Sequence, residues 1–172
     1  MANDGVALGA PVLLTQTHEA STFDSGELAL DDWLRKRAWA NLQAGASRTY
    51  VVCPVGSNAI AGYYAISMGQ ILAEGALGSM RRNMPPHIPA VILGRLAIDR
   101  EWQGKGLGRA MLADVVRRSL RASEEVSARL VVVHAISPAA EAFYLHHGFA
   151  RLPVATATLA LDLVKLQRLA KP

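Results

Sequence analysis

Gln103-Gly104-Lys105-Gly106-Leu107-Gly108 is the stretch on which the reading of this chain turns. Its three glycines strip side chains from the backbone where a helical pattern begins. Leu107, Met111, Leu112, Val115, Val116 and Leu120 recur at helical spacing, and Arg109, Asp114, Arg117 and Arg118 fall on the other face. Uncovered N–H groups and the positive end of the helix dipole converge there, which suits an anion such as a pyrophosphate. Glycines ahead of a helix also serve as plain tight turns, so the string alone leaves both readings open. Upstream, residues 90–98 (AVILGRLAI) read as a strand, giving strand, tight loop and amphipathic helix in succession.

Two other phosphate loops do not fit. A dinucleotide-binding unit carries its glycines after the first strand, whereas several strands precede this loop. A Walker loop requires G-x-x-x-x-G-K-[ST], but Gly106 is followed by Leu107 and Gly108.

Further out, residues 12–15 read as a first strand, and residues 22–26 (TFDSG) offer helix-starting chemistry. Leu30, Trp33, Leu34 and Ala38 then follow at helical spacing, in one helix that ends by Gly45. Residues 48–53 and 59–68 flank Pro54-Val55-Gly56-Ser57-Asn58 as a hairpin, and residues 74–89, with three prolines, read as a connecting loop in which residues 77–82 have a helical turn as their alternative. Residues 130–136 are a β-branched run fit for a buried central strand. Pro138 opens a helix that Gly148 stops, residues 156–163 alternate as a last strand, and residues 164–172 carry no firm pattern.

The whole chain, residues 1–172, is expected to form a single domain: that length buries a core without disulfide or metal, and 51% hydrophobic against 19% charged residues is the balance of a folded chain. Cys53, the one cysteine, lies in an apolar run and is expected to be buried and inert. Residues 1–9 lack a basic start and an apolar core, and no stretch approaches the ~20 apolar residues of a membrane span. A cytoplasmic location away from membranes is the expectation. The net charge of +4 favours an anionic partner. Ser137, His134 and Asp99 have no spacing that identifies a triad, and adjacent His146 and His147 point to different helix faces, so no metal site is expected.

Gln103, Gly106 and Gly108 match the Q/R-x-x-G-x-G/A motif of the GNAT (N-acetyltransferase) superfamily. Ala140, Phe143, Tyr144, Gly148 and Phe149 resemble its A-x-x-F-Y-x-x-x-G-F pattern, in the right order about forty residues later. The resemblance implies an α/β (α+β) GNAT fold: a mixed, mostly antiparallel sheet of about six to seven strands flanked by helices and splayed at the cofactor strand. It implies acetyl-CoA as co-substrate, with a cofactor module at about residues 89–149. The backbone of Leu96, Ala97 and Ile98 would then hold the pantetheine arm. Gln103, Gly104, Lys105, Gly106, Leu107, Gly108 and Arg109 would surround the pyrophosphate. Ser137, where many relatives carry an Asn that touches the arm, and Phe143 complete the set; Ser137 has helix-capping as its alternative. Tyr144 would be the general acid, since a phenol of pKa about 10 can protonate a thiolate whose conjugate acid has pKa about 8.5. As a plain core residue it would instead give its hydroxyl to a backbone partner.

A narrower resemblance runs through residues 23–38, 46–52, 80–83 and 93–96, which are similar to the tRNA-acetylating toxins of type II toxin–antitoxin modules. It implies acetylation of the α-amine of an aminoacyl-tRNA, glycyl-tRNA being common in the branch. It also implies a cognate antitoxin, commonly of the ribbon-helix-helix class, and a homodimer. A free α-amine of pKa about 7.7–8.0 demands no strong base. Arg35, Lys36, Arg37, Arg48, Arg81 and Arg82 are the candidate tRNA contacts. Against this, basic helix runs are commonly a solvated face, and Arg37 has the alternative of turning inward to a carboxylate. The rival functions are a small-molecule or protein N-terminal acetyltransferase and a noncatalytic acyl-CoA-binding module.

Overall fold

The computed structural model describes residues 5–171. The expectation for residues 1–9 therefore falls partly, and that for Pro172 wholly, outside the described residues. The elements run β1 (Val12–Leu13), α1 (Leu28–Lys36), α2 (Ala38–Gln43), β2 (Arg48–Val52), β3 (Gly62–Leu72), α3 (Gly78–Arg81), β4 (His87–Ile98), α4 (Leu107–Glu125), β5 (Leu130–His134), α5 (Pro138–His146), β6 (Ala150–Arg151), β7 (Thr158–Asp162) and α6 (Leu163–Ala170). The seven strands form a mixed sheet in the order β1-β2-β3-β4-β5-β7-β6. The β4–β5 pair is parallel, and the β1–β2, β2–β3, β5–β7 and β6–β7 pairs are antiparallel. Among the described residues no helix is long and apolar enough to cross a membrane.

The chain divides into two units, one holding the residues up to Ser67 with Arg95–Val115, the other Met68–Gly94 with the residues from Val116 onward. In the first, the hairpin joins β2 to β3 in register from Arg48↔Ile66 to Val52↔Gly62, as Pro54 to Asn58 predict. Its core gathers Phe23, Leu34, Ala38, Val51, Tyr63 and Ala97. The expected single helix after residue 26 is two: Arg37, at φ −125°, leaves helical geometry and separates α1 from α2. Arg37 is exposed rather than turned inward.

Asp114 does not lie on the solvated face of α4. It is buried and accepts a hydrogen bond from the Tyr64 hydroxyl at 2.5 Å, a partner fifty residues away that helical periodicity cannot reveal. Cys53 is half-buried rather than buried, and the partial burial pushes its thiol pKa up.

In the second unit β5 pairs with β7 over five residues, from Leu130↔Asp162 to His134↔Thr158, and β6 adds two residues at the edge of β7. Ile88, Ala90, Leu130, Val132, Leu152 and Ala160 pack its core. Within the connecting stretch the helical turn at residues 77–82 forms as α3, and β4 already starts at His87. Pro89, early in β4, has no N–H to donate; its carbonyl accepts from the Arg129 N–H at 2.8 Å. The unassigned tail contains α6, whose cap is Asp162: its Oδ1 accepts from the N–H groups of Val164 and Lys165.

Candidate active site

The parallel ladder between β4 and β5 ends at Leu93↔Val133, while β4 continues to Ile98. In the first unit, side chains alternate across that end of β4. Ala97 faces the core formed with α1 and α2, and Ile98 faces the opposite way. There a Cβ on Gly62 would meet Met111 Sδ at 2.8 Å and Ile98 Cδ1 at 2.9 Å, so the absent side chain lets α4 start against the strand end.

Asp99, Arg100, Glu101 and Trp102 form a short turn whose cap is Asp99 Oδ1 on the Glu101 N–H. Gly104 and Gly106 follow at φ +72° and +83°, where a side chain would be strained although each site has room for a Cβ. α4 begins at Leu107, with Ala110 N donating to Gly106 O at 3.1 Å. Among the described residues, no well-formed hydrogen bond takes the N–H groups of residues 104–109. Six consecutive open donors at the positive end of a nineteen-residue helix favour an anion. Lys105 holds its ammonium 5.3 Å from the Trp102 ring, and Arg109 is exposed on the first turn.

Gln103 does not offer its amide to the loop. Its Nε2 donates to Ile98 O at 2.8 Å and to Ser25 O at 2.9 Å, tying the strand end to the segment before α1. That segment is held by Asp31, whose Oδ1 accepts from Ser25 N at 3.0 Å and Ser25 Oγ at 2.5 Å, and by Asp24 N donating to Asp99 Oδ2. Ser25 and Asp31 were missed in the sequence. The signal was present: Asp31 stands at i, i+3, i+7 with Leu34 and Ala38, which puts a carboxylate on the buried face of α1.

Arg35 and Lys36 prove to be engaged. Arg35 Nη1 donates to Phe23 O at 2.8 Å, and Asp32 accepts from Arg35 and Lys36. The Lys36 ammonium, then Arg35, holds the Asp32 carboxyl below its ordinary pKa. Arg48 is exposed on β2. Arg95, which follows Gly94 in β4, lays its guanidinium 4.3 Å from the centroid of the Trp33 ring.

The second unit carries the tyrosine. Ser137 caps α5, its Oγ accepting from Ala140 N at 3.1 Å, so the capping role is the one its side chain fulfils. Gly148, at φ +91°, ends the helix, and Phe149 N returns to Tyr144 O at 3.1 Å. Phe143 and Phe149 pack on the Tyr144 ring with centroids 5.2 and 5.4 Å away. Tyr144 is 6% exposed, and burial raises its pKa above the ordinary phenol value. Its hydroxyl makes no hydrogen bond among the described residues, unlike Tyr63, which donates to Leu30 O, and Tyr64, which donates to Asp114. The backbone partner expected of a plain core tyrosine is therefore missing. His147 Nδ1 donates to Phe143 O, and His134 shares a hydrogen bond with Thr158. Arg81, at the end of α3, and Arg82 after it are both exposed.

Residues 47–151 match the acetyltransferase (GNAT) domain family. Over 140 residues the chain is 42% identical to a tRNA-acetylating toxin of Mycobacterium tuberculosis, covering 81% of this chain and 83% of that one. It is similar to the solved structure of AtaT complexed with acetyl-methionyl-tRNAfMet, with a TM-score of 0.89 and 27% identity over 96% of this chain and 100% of that one. A tyrosine-to-phenylalanine variant of the AtaT toxin, bound to the C-terminus of the antitoxin AtaR and acetyl-CoA, matches with a TM-score of 0.80 and 26% identity, covering 95% and 98% of the two chains.

Proposed function

The chain belongs to the GNAT acetyltransferase family, and from that premise we propose that it is a toxin transferring the acetyl group of acetyl-CoA to the α-amine of an aminoacyl-tRNA, with glycyl-tRNA as the first acceptor to test. The blocked amine can no longer enter translation. The observation that carries the acceptor is the likeness to the mycobacterial tRNA-acetylating toxin over most of both chains. AtaT, whose solved complexes contain an acetylated aminoacyl-tRNA or acetyl-CoA, supports the same reading.

The donor half follows from the open N–H groups of residues 104–109, which suit a pyrophosphate, and from the backbone of Leu96, Ala97 and Ile98, which suits the pantetheine arm. Lys105, Leu107 and Arg109 flank the loop, and the family resemblance adds Ser137 and Phe143 as candidates for the arm. Gln103 acts by holding the loop in place rather than by touching phosphate. The neutral amine attacks the thioester carbonyl carbon and loses its proton to water. The C–S bond breaks as the intermediate collapses, and Tyr144 gives its phenolic proton to the departing thiolate. The unengaged hydroxyl supports that role. Desolvation raises the pKa of the phenol, which keeps Tyr144 protonated at neutral pH and able to donate.

Arg37, Arg48, Arg81 and Arg82 are the stronger tRNA contacts, because Arg35 and Lys36 already serve partners within α1 and ahead of it. Both units would work as one domain, a reading supported by a family match that runs through both. A cognate antitoxin of the ribbon-helix-helix class, a homodimer and a cytoplasmic site of action complete the proposal, the antitoxin being supported by the AtaT complex with AtaR.

The deciding experiment is mass spectrometry of charged tRNAs incubated with the protein and acetyl-CoA, with polyamines and peptides as competing acceptors. A mass gain on the aminoacyl group is expected. Acetylation of polyamines or peptides alone would replace the reading with a small-molecule or N-terminal acetyltransferase, and binding without transfer would leave a noncatalytic module.

A further inference from the structure

Arg95 stands apart from the other arginines that anchor this structure. Arg35 is engaged by Phe23 O and Asp32, Arg100 by Asp24, Arg129 by Asp162 and Ser79 O, and Arg151 by Glu141. Arg95 is half-buried, yet among the described residues no carboxylate or carbonyl accepts any of its N–H groups. Its guanidinium instead rests over Trp33, 4.3 Å from the ring centroid. Trp33 is stacked on Tyr63 at 6.0 Å and 11°, and Tyr63 is locked by donating to Leu30 O at 2.7 Å. Asp31 Oδ1 accepts from Ser25, and among the described residues no hydrogen bond or ion pair joins Asp31 to Arg95.

A stack of this kind fixes the plane of the guanidinium and covers one face. The in-plane N–H fork stays open, which is the geometry that grips a phosphate through two parallel hydrogen bonds. Strand alternation puts Arg95 on the same face of β4 as Ala97, the face covered by α1, whereas Ile98 and the start of α4 lie on the other. The open donors of residues 104–109 begin α4, so they and Arg95 serve different anions.

We propose that Arg95, held flat on Trp33, is a phosphate-binding residue for the acceptor, gripping a backbone phosphodiester of the aminoacyl-tRNA; the inference rests on the acceptor proposed above. Trp33 is its positioning residue.

The test is the tRNA dissociation constant of the full chain across a salt series, with acetyl-CoA affinity and acetyl transfer measured on the same samples. Arg95→Gln is expected to weaken tRNA binding about 10- to 100-fold, the size of a lost charge-assisted contact. It should also make the log–log salt slope shallower by roughly 0.7–0.9, one phosphate's worth. Acetyl-CoA affinity should not change. Arg95→Lys keeps the charge and should retain the slope with weaker binding, and Trp33→Phe should bind better than Trp33→Leu. An unchanged slope for Arg95→Gln, or an equal loss of acetyl-CoA affinity, would overturn the inference. Failure of the unaltered protein to acetylate any charged tRNA would instead sink the proposed function and this inference with it.

Discussion

Gln103 reaches back seventy-eight residues to hydrogen-bond Ser25 O at 2.9 Å, while the same amide nitrogen holds Ile98 O at 2.8 Å. One side chain thus sets the end of the proposed cofactor strand against the segment that leads into α1. Glutamine suits this because a single NH₂ group carries two donors. Asp31 completes the clamp from its buried position through Ser25.

Gln103→Ala should raise the KM for acetyl-CoA about 10- to 30-fold, the worth of two hydrogen bonds of ~1 kcal/mol each, with a smaller change in kcat. Steady-state kinetics on purified protein reads this out. An unchanged KM would mean that the loop keeps its shape without the clamp.

Tyr144→Phe removes one hydroxyl that makes no hydrogen bond among the described residues, so thermal stability should be unaffected. Acetyl transfer should fall about 10²- to 10⁴-fold, the range of a lost general acid. Because burial raises the phenol pKa, Tyr144 stays protonated through neutral pH, and any alkaline loss of kcat due to it should lie above the ordinary value of about 10. Retained transfer in the variant would remove Tyr144 from the mechanism.

Arg81→Ala with Arg82→Ala should weaken tRNA binding and flatten its salt dependence by roughly 1.4–1.8 in the log–log slope, two phosphates' worth. Lys36→Ala should have a smaller effect, since its ammonium already serves Asp32 at 2.9 Å. Filter binding at several salt concentrations distinguishes them, and equal effects would show that the Asp32 pairing does not hold Lys36 back.

Asp162 accepts from Arg129 Nε and Nη2, each at 2.9 Å, and caps α6. Burial pushes its carboxyl pKa up, but the Arg129 hydrogen bond and charge and the Lys165 and Val164 N–H groups outweigh that and hold it below the ordinary value. A depressed carboxylate contributes stability that is present in full above its unfolded pKa of about 3.9 and is lost as pH falls through the lower folded value. Melting curves should therefore decline below about pH 4 more steeply for the unaltered protein than for Asp162→Asn. Asp162→Ala, which strands the 14%-exposed Arg129 side chain, should cost about 3 kcal/mol at neutral pH by urea denaturation.

Much of the fold was legible because its signals are local. The hairpin turn at Pro54 to Asn58, the Pro138 helix start and the Gly148 stop each depend on a few neighbouring dihedrals, and all three stand where periodicity puts them. β6 escaped notice because two residues are too few to show alternation, and α6 because Asp162, its cap, also ends a strand. The break at Arg37 left no mark, since the apolar spacing continues through it.

The motifs at residues 103–108 and 140–149, taken together, carry the resemblance to the family, because backbone freedom at Gly104 and Gly106 and the order Phe143-Tyr144 are properties of the chain itself. Which donors and charges remain available for a ligand was decided only by tertiary structure. Gln103 turns away from the loop, Arg35 and Lys36 are taken by Phe23 and Asp32, and among the described residues Arg95 and the Tyr144 hydroxyl are left without an acceptor. A side chain's hydrogen-bonding capacity is written in its chemistry, but whether another group has already taken it depends on partners far away in the sequence.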